Sequence, residues 1–137
     1  MAEIQSQVNK VVVAFLDKRR LKGYVFNFSA LRESFRLYPE PTSRQGEGTD
    51  VLIKELKAVF FVKDFVGNPD YHESYDVNPT AHGRKIEVQF GDTETIVGLT
   101  EAYNPQKIGF FVFPADPNSN NLRIFVVNKN TRKIRIL

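Results

Sequence analysis

The sequence predicts an all-β protein made of two tandem, five-stranded small barrels that pack against each other. Three observations lead to this fold class. The apolar runs, such as residues 11–16 and 58–62, are of strand length. Much of the chain repeats itself at an offset of 75 residues, and helix signals are confined to residues 3–10. The 137 residues, 42% of them apolar, suffice for one ordinary domain or two very small ones.

The repeat pairs residues of similar chemical type at the positions that would define a fold. At an offset of 75 it aligns Phe15 with Phe90, Asp17 with Asp92, Leu21 with Ile96, Gly23 with Gly98, Phe28 with Tyr103, Phe35 with Phe110, Leu37 with Val112 and Pro39 with Pro114. Farther along the chain the offset is expected to slip to 76. The repeat predicts a first barrel over residues 1–63 and a second over residues 83–137. An acidic connector, with four Asp/Glu and no Lys/Arg, spans residues 64–82.

Alternating apolar and polar residues, separated by turn formers, give the order of elements in each copy. Residues 3–10 predict a short helix or an unfolded arm, because so short a helix is marginal alone in water. The strands are expected at residues 11–16, 21–28, 34–38, 51–53 and 56–62 in the first copy, and at residues 86–90, around Ile96, and at 109–113, 122–127 and 132–137 in the second.

Four positions in the hairpins are expected to have structural roles. Asp17 and Asp92 lie in the turns between the first two strands of each copy, where a short polar side chain bonds the local backbone. Gly23 and Gly98 lie inside the second strands. Because glycine weakens a straight strand, each predicts a bulge or a sharp bend.

Composition and motifs exclude several classes of function. The absence of cysteine removes disulfides, thiolate nucleophiles and Cys-containing zinc sites. The first thirty residues lack the apolar segment of a leader, so we expect a cytoplasmic protein without a membrane partner. No catalytic or cofactor-binding motif occurs, so we predict no enzyme activity, cofactor or metal site. The connector residues Asp70, His72, Glu73, Asp76 and His82 match no ligand spacing and predict a solvated linker.

Basic residues concentrate in two places, and two interpretations stay open. Lys and Arg side chains supply most of the affinity of non-specific nucleic-acid binding, so the clusters are candidate anion sites. Alternating cations on an edge strand also prevent aggregation, which favours a solvated face instead. The candidates are Lys18, Arg19, Arg20 and Lys22 in the first hairpin and Arg123, Lys129, Arg132, Lys133 and Arg135 in the last two strands.

The aromatic residues outnumber what two barrels of about sixty residues can hide. In the pairs Phe60-Phe61 and Phe110-Phe111, neighbouring rings point to opposite faces of a strand, so one ring of each pair needs cover. We expect that cover from the other barrel, in one fused core, or from another chain. The residues expected at an interaction surface are Phe26, Phe61, Phe65, Phe111, Phe125, Ile134 and Ile136.

Val13, Phe15, Asp17, Leu21, Gly23 and Phe28 form a pattern that resembles the first signature of the Sm-like small barrels, a bent-strand architecture of the SH3 type. Ser29 and Ser34 stand where RNA-binding members hold a base with Asp and Asn. The resemblance therefore implies the fold and not RNA binding. Residues 113–127 resemble a family of uncharacterised bacterial domains, which implies no known activity.

A second resemblance concerns the segment Asn27-Phe28-Ser29, which is similar to part of the PilZ cyclic-dinucleotide motif. Arg32 stands where that motif needs glycine, and the upstream cations lack its spacing. Cyclic-dinucleotide binding is thus the third hypothesis. A local turn, in which Ser29 bonds the backbone, is the simpler interpretation.

These observations favour a non-catalytic binding or scaffold module for protein–protein interaction or assembly in the bacterial cytoplasm. The alternative is nucleic-acid or other anion binding through the basic hairpin and the C-terminal strand. The last strand has no segment after it to cover its edge, so we expect a homo-oligomer joined through residues 132–137. Lys133 and Arg135 oppose this expectation, because charges blunt an exposed edge.

Overall fold

A computed structural model describes residues 8–42, 47–67 and 83–137. These residues form ten strands at nearly the predicted positions, and they contain no α-helix. A single 3-10 turn precedes the last strand of each half, at Ile53–Glu55 and Asn128–Asn130. The strands are β1 (Val8–Phe15), β2 (Arg20–Phe26), β3 (Ser34–Leu37), β4 (Thr49–Leu52), β5 (Leu56–Val62), β6 (Arg84–Phe90), β7 (Thr95–Thr100), β8 (Gly109–Pro114), β9 (Asn121–Val127) and β10 (Thr131–Ile136).

The predicted helix over residues 3–10 is wrong where the structure describes it. Strand β1 already begins at Val8, which lies opposite Phe26 of β2. Pairing with a full-length partner strand outweighs the weak helix preference of so short a segment. The earlier part of that segment lies outside the described residues.

Eight strands form one antiparallel sheet in the order β10-β6-β7-β8-β9-β5-β1-β2, while β3 and β4 form a sheet of two. This differs from the predicted pair of barrels packed against each other, because a hydrogen-bonded ladder between β5 and β9 crosses from one half to the other. Within the described ranges the hydrogen-bonded strands close no barrel. Every residue of β5 is buried, as is typical of a strand covered on both faces.

The two halves have matching elements in the same order. Strands β2 and β7 begin at Arg20 and Thr95, 75 residues apart, and the 3-10 turns begin at Ile53 and Asn128, again 75 apart. The expected slip of the offset to 76 is therefore wrong. In both halves the first strand pairs with the second and the fifth.

The core is shared between the halves, as the paired aromatic residues predicted. Side chains of β5 alternate between two apolar clusters, with Phe61 in one and Phe60 in the other. Phe125 and Val127 of β9 join a cluster whose other buried members all come from the first half. Because β5 and β9 contribute to both clusters, the halves form one structural unit.

Gly23 and Gly98 allow close approach of two strands and do not mark bulges. The ladder is regular at both positions. A Cβ atom on Gly23 would lie 2.7 Å from the carbonyl oxygen of Tyr38, and one on Gly98 would lie even closer to the carbonyl oxygen of Phe113. A side chain at either position would push the second and third strands of its half apart.

Candidate binding groove between the halves

A groove with a volume of about 710 Å³ lies where the two halves meet, beside the two 3-10 turns. We call it the junction groove. Its apolar lining comes from Leu52, Ile53, Tyr103, Pro105, Ile108, Val127 and Ile134, and its polar lining from Glu33, Lys54, Lys107, Asn128, Lys129, Thr131, Arg132 and Lys133. A groove with an apolar floor and a few polar groups is the usual form of a binding site.

Two asparagine side chains fix the walls of the groove. The Nδ2 atom of Asn130 donates to the carbonyls of Lys54 and Leu56, at 3.0 and 2.7 Å, and so ties the second 3-10 turn to the first. The Nδ2 atom of Asn128 donates to the carbonyls of Asn104 and Lys107, at 3.0 and 2.9 Å. The loop between β7 and β8 is thereby held against the second turn.

The groove is strongly cationic. Five Lys or Arg residues and one acid, Glu33, line it, and all five cations are exposed. No salt bridge joins any of the five to an acidic residue in the described part of the chain. Their positive charge is therefore available to a ligand.

One edge of the large sheet opens onto this groove. The N–H of Leu137 donates to the carbonyl of Lys85 at 2.8 Å, so Arg135 and Lys133 also turn their backbone groups towards β6. The N–H and C=O groups of Ile134 and Ile136 then point to the opposite edge. None of the described strands pairs with that edge.

Other parts of the fold cover the equivalent edges. Strand β5 is the first-half counterpart of β10. The outer edge of β5 is paired with β9. Strand β2, at the far end of the sheet, is bridged by a reciprocal pair of hydrogen bonds between Tyr24 and Tyr38. Among the strands that the structure describes, β10 therefore differs from its counterpart β5 in having an outer edge without a partner strand.

The structure separates the predicted basic residues into groups. It brings Lys129, Arg132 and Lys133 together in the junction groove. The remaining candidates lie elsewhere: Arg19 pairs with Asp17 at 2.7 Å, Arg20 lies 3.9 Å from Glu94, Arg135 pairs with Glu87 at 3.4 Å, Lys22 donates to the carbonyl of Phe65 at 3.3 Å, and Lys18 is exposed in the first hairpin turn.

Arg123 is half-buried and belongs to the edge of the core. Its guanidinium carbon lies 4.4 Å from the ring centroid of Phe61 and 4.3 Å from that of Phe111. Burial lowers the pKa of Arg123. Arg123 therefore covers aromatic rings and does not line the groove.

The predicted interaction surface is corrected at two rings. Phe61 and Phe125 are each only 1% exposed, because they lie on the strands shared by the two halves. Phe111 packs beside them under Arg123. Phe26 and Phe65 are half-buried against tyrosine rings of the first half. Ile134 and Ile136 are half-buried on β10, and Ile134 lines the groove.

Several groove residues were not predicted from sequence. Lys54 and Lys107 line the groove, and the two asparagines fix its walls. A usable signal existed for one pair, since Lys54 and Lys129 are 75 residues apart and occupy the same place in the two 3-10 turns. No local pattern marks Lys107, because its position depends on how the halves meet.

The two hairpin turns have the same geometry but different partners. Lys18 and Thr93 both have a φ of 74°, and Asp17 and Asp92 each accept a backbone N–H two residues ahead. Asp92 also accepts a hydrogen bond from Lys57, a 5% exposed lysine of the first half. The second turn is therefore fastened to β5, whereas the first turn is exposed.

Other candidate ligand sites have little support in the structure. The hydroxyl oxygen of Ser29 accepts the N–H of Leu31 at 3.2 Å, which is a local turn. The described residues include no group of three His, Asp or Glu able to hold a metal, and Asp70, His72, Glu73, Asp76 and His82 lie outside them. None of the described segments is a helix of the length and apolarity needed to span a membrane.

The fold and the groove together define a β-rich protein with an open sheet edge beside a cationic cleft. The chain belongs to DUF6982, a family of unknown function, whose family model matches residues 7–137. Comparison with curated proteins and with solved structures gives no match.

Proposed function

We propose that this protein is a non-catalytic binding module that takes up an extended segment of a partner protein in the junction groove. The open edge of β10 supports this proposal most directly, because unpaired N–H and C=O groups beside an apolar groove fit strand addition. Backbone pairing would supply affinity. The groove side chains would select the segment.

As part of this proposal, each half is a small barrel-like unit of the Sm and SH3 type. The equivalent strand order, the 3-10 turn before each fifth strand and the paired glycines Gly23 and Gly98 support that interpretation. The β5–β9 ladder then represents an edge contact between two such units within one chain. The open edge of β10 is the place where the next strand would add.

Nucleic-acid binding is the second candidate. It is favoured by the unpaired cations of the groove and by Tyr103, whose half-buried ring lies among them and offers a stacking surface. A protein segment accounts for more of the site, because a nucleic acid has no backbone groups that continue a β-ladder. The two candidates make opposite predictions about nuclease treatment.

The experiment is affinity capture from a lysate of the source organism, with and without nuclease, using the wild type, Ile134→Pro and Ile134→Val. Proline removes the outward N–H of Ile134 without breaking the ladder to β6, and Val is the matched control. We expect partners that survive nuclease and are lost only with Ile134→Pro, while circular dichroism shows all three proteins folded. Equal capture by Ile134→Pro would contradict the proposal, and loss on nuclease treatment would favour nucleic acid.

A further inference from the structure

We propose that the segment bound in the junction groove is acidic and extended, with carboxylates alternating with apolar side chains, and that it pairs antiparallel with β10. This inference rests on the proposed function and names the chemistry of its partner. Its evidence comes from the backbone, from the side chains of β10 and from the charge of the groove.

The outer edge of β5, which β9 fills, is a template for the open edge of β10. There β9 runs antiparallel to β5, with Val59 opposite Phe125 and Phe61 opposite Arg123. At an offset of 75, these β5 positions correspond to Ile134 and Ile136. The backbone groups of these two isoleucines are the ones that point to the open edge, so an added antiparallel strand has two pairing positions.

Cationic and apolar side chains alternate along β10 from Lys133 to Ile136. Lys133 and Arg135 project from one face of the strand, and Ile134 projects from the other. On the β6 side, Arg135 already has an acidic partner. Glu87 lies opposite it in the ladder, with its Oε1 atom 3.4 Å from Nη1 of Arg135. From the open side, no acid of the described residues forms a salt bridge with Lys133 or Arg135. An incoming strand with carboxylates opposite the cations and apolar residues opposite Ile134 would complement the side chains on both faces of β10.

The charge of the groove favours the same ligand along its length. Lys54, Lys107, Lys129 and Arg132 continue the positive surface beyond β10, against Glu33 alone. Such a surface attracts an acidic chain and repels a basic one. The apolar floor then distinguishes a segment with apolar side chains from a purely acidic one.

A second copy that paired its β4 with β10 would fit this edge poorly. The strand equivalent to β9 is β4, and the register of the β5–β9 ladder would place Asp50 opposite Ile134 and Val51 opposite Lys133. An acid would then face the apolar side chain, and an apolar residue would face the cation. A second copy that added its β4 is therefore the weaker occupant, while the homo-oligomer expected through residues 132–137 stays an alternative that the experiment distinguishes.

The probe is a capped octapeptide of alternating Glu and Val, titrated into the full-length protein and followed by fluorescence anisotropy and by amide exchange. Comparison peptides have alternating Lys and Val, or the same Glu and Val residues in two blocks, and oligothymidine is the nucleic-acid comparison. We expect the alternating acidic peptide to bind best and to protect the amides of Ile134 and Ile136. We also expect Arg132→Glu with Lys133→Glu to weaken binding by roughly tenfold or more.

The matched control is Lys18→Glu with Lys22→Glu, which makes the same charge change on the distant first hairpin and should leave peptide binding unchanged. Four results would overturn the inference: equal loss with the control variant, no preference for alternation, tighter binding of oligothymidine, or concentration-dependent protection without peptide. The last result would assign the edge to a second copy. If captured partners depend on Ile134 but the peptide does not bind, the proposed function stands and this inference fails.

Discussion

The Nζ atom of Lys57 donates to Oδ2 of Asp92 at 2.7 Å, which joins the central strand of the first half to the first hairpin turn of the second. Lys57 also pairs with Glu94 and lies 4.7 Å from the ring centroid of Phe90. An almost fully buried ammonium is stable only with such partners. The contact therefore links the folding of the two halves.

Removal of the two carboxylates should destabilise the protein more than removal of the lysine. Asp92→Asn with Glu94→Gln leaves the Lys57 ammonium buried without a counter-charge. We expect a loss of about 1–3 kcal/mol, because the carboxylates are partly exposed and the full cost of an unpaired buried charge is reduced. Lys57→Met should be close to neutral. Denaturant unfolding measures both effects, and a larger loss from Lys57→Met would contradict this account.

Acid should weaken the same contact. The hydrogen bond from Lys57 holds the pKa of Asp92 below its ordinary value of 3.8. A carboxyl with a lowered folded-state pKa stabilises the fold fully above its unfolded-state value and loses that effect as pH falls through the folded one. The stability difference between wild type and Asp92→Asn should therefore be largest above pH 3.8 and shrink in stronger acid. Thermal melts across the acid range test this; a pH-independent difference would count against it.

Substitution of Gly98 should reveal the close approach of β7 and β8. Gly98→Ala puts a Cβ atom against the carbonyl oxygen of Phe113, so we expect a loss of more than about 1 kcal/mol. Gly91→Ala is the matched control, because no atom lies within 4 Å of its added Cβ. Similar melting temperatures for the two variants would refute the steric argument.

Arg123 should act through packing. Arg123→Ala uncovers the rings of Phe61 and Phe111 and should cost roughly 1–2 kcal/mol of stability. Binding of the acidic octapeptide should stay unchanged, because Arg123 does not line the groove. Chemical denaturation and a peptide titration of the same variant separate the two roles. Weaker peptide binding at unchanged stability would assign Arg123 to the binding site instead.

The strands were predictable from sequence because their signals are local. Apolar alternation located β6, and the turn residues around Asp17 located the first hairpin. The shared core also followed from local pattern, since Phe60 and Phe61 must point to opposite faces. The continuous sheet did not follow, because the pairing of β5 with β9 joins residues far apart in sequence and no local pattern specifies which edges meet.

The junction groove was harder to predict for the same reason. Lys129, Arg132 and Lys133 were recognised as basic, but their pattern did not show which cations would stay unpaired. Lys18 to Lys22 form an equally dense basic run, yet Asp17 and Glu94 pair with its arginines. Tertiary contacts thus decide which of two similar clusters can serve as a site.

Residue-resolved amide hydrogen exchange of the free protein determines whether the outer edge of β10 is unpaired. Lys133 and Arg135 direct their N–H groups to β6 and should be protected, whereas Ile134 and Ile136 should exchange rapidly from the open edge. Addition of a captured partner should slow exchange at both isoleucines. Strong protection of Ile134 and Ile136 in the free, monomeric protein would show that the edge is already paired and would contradict a binding site on β10.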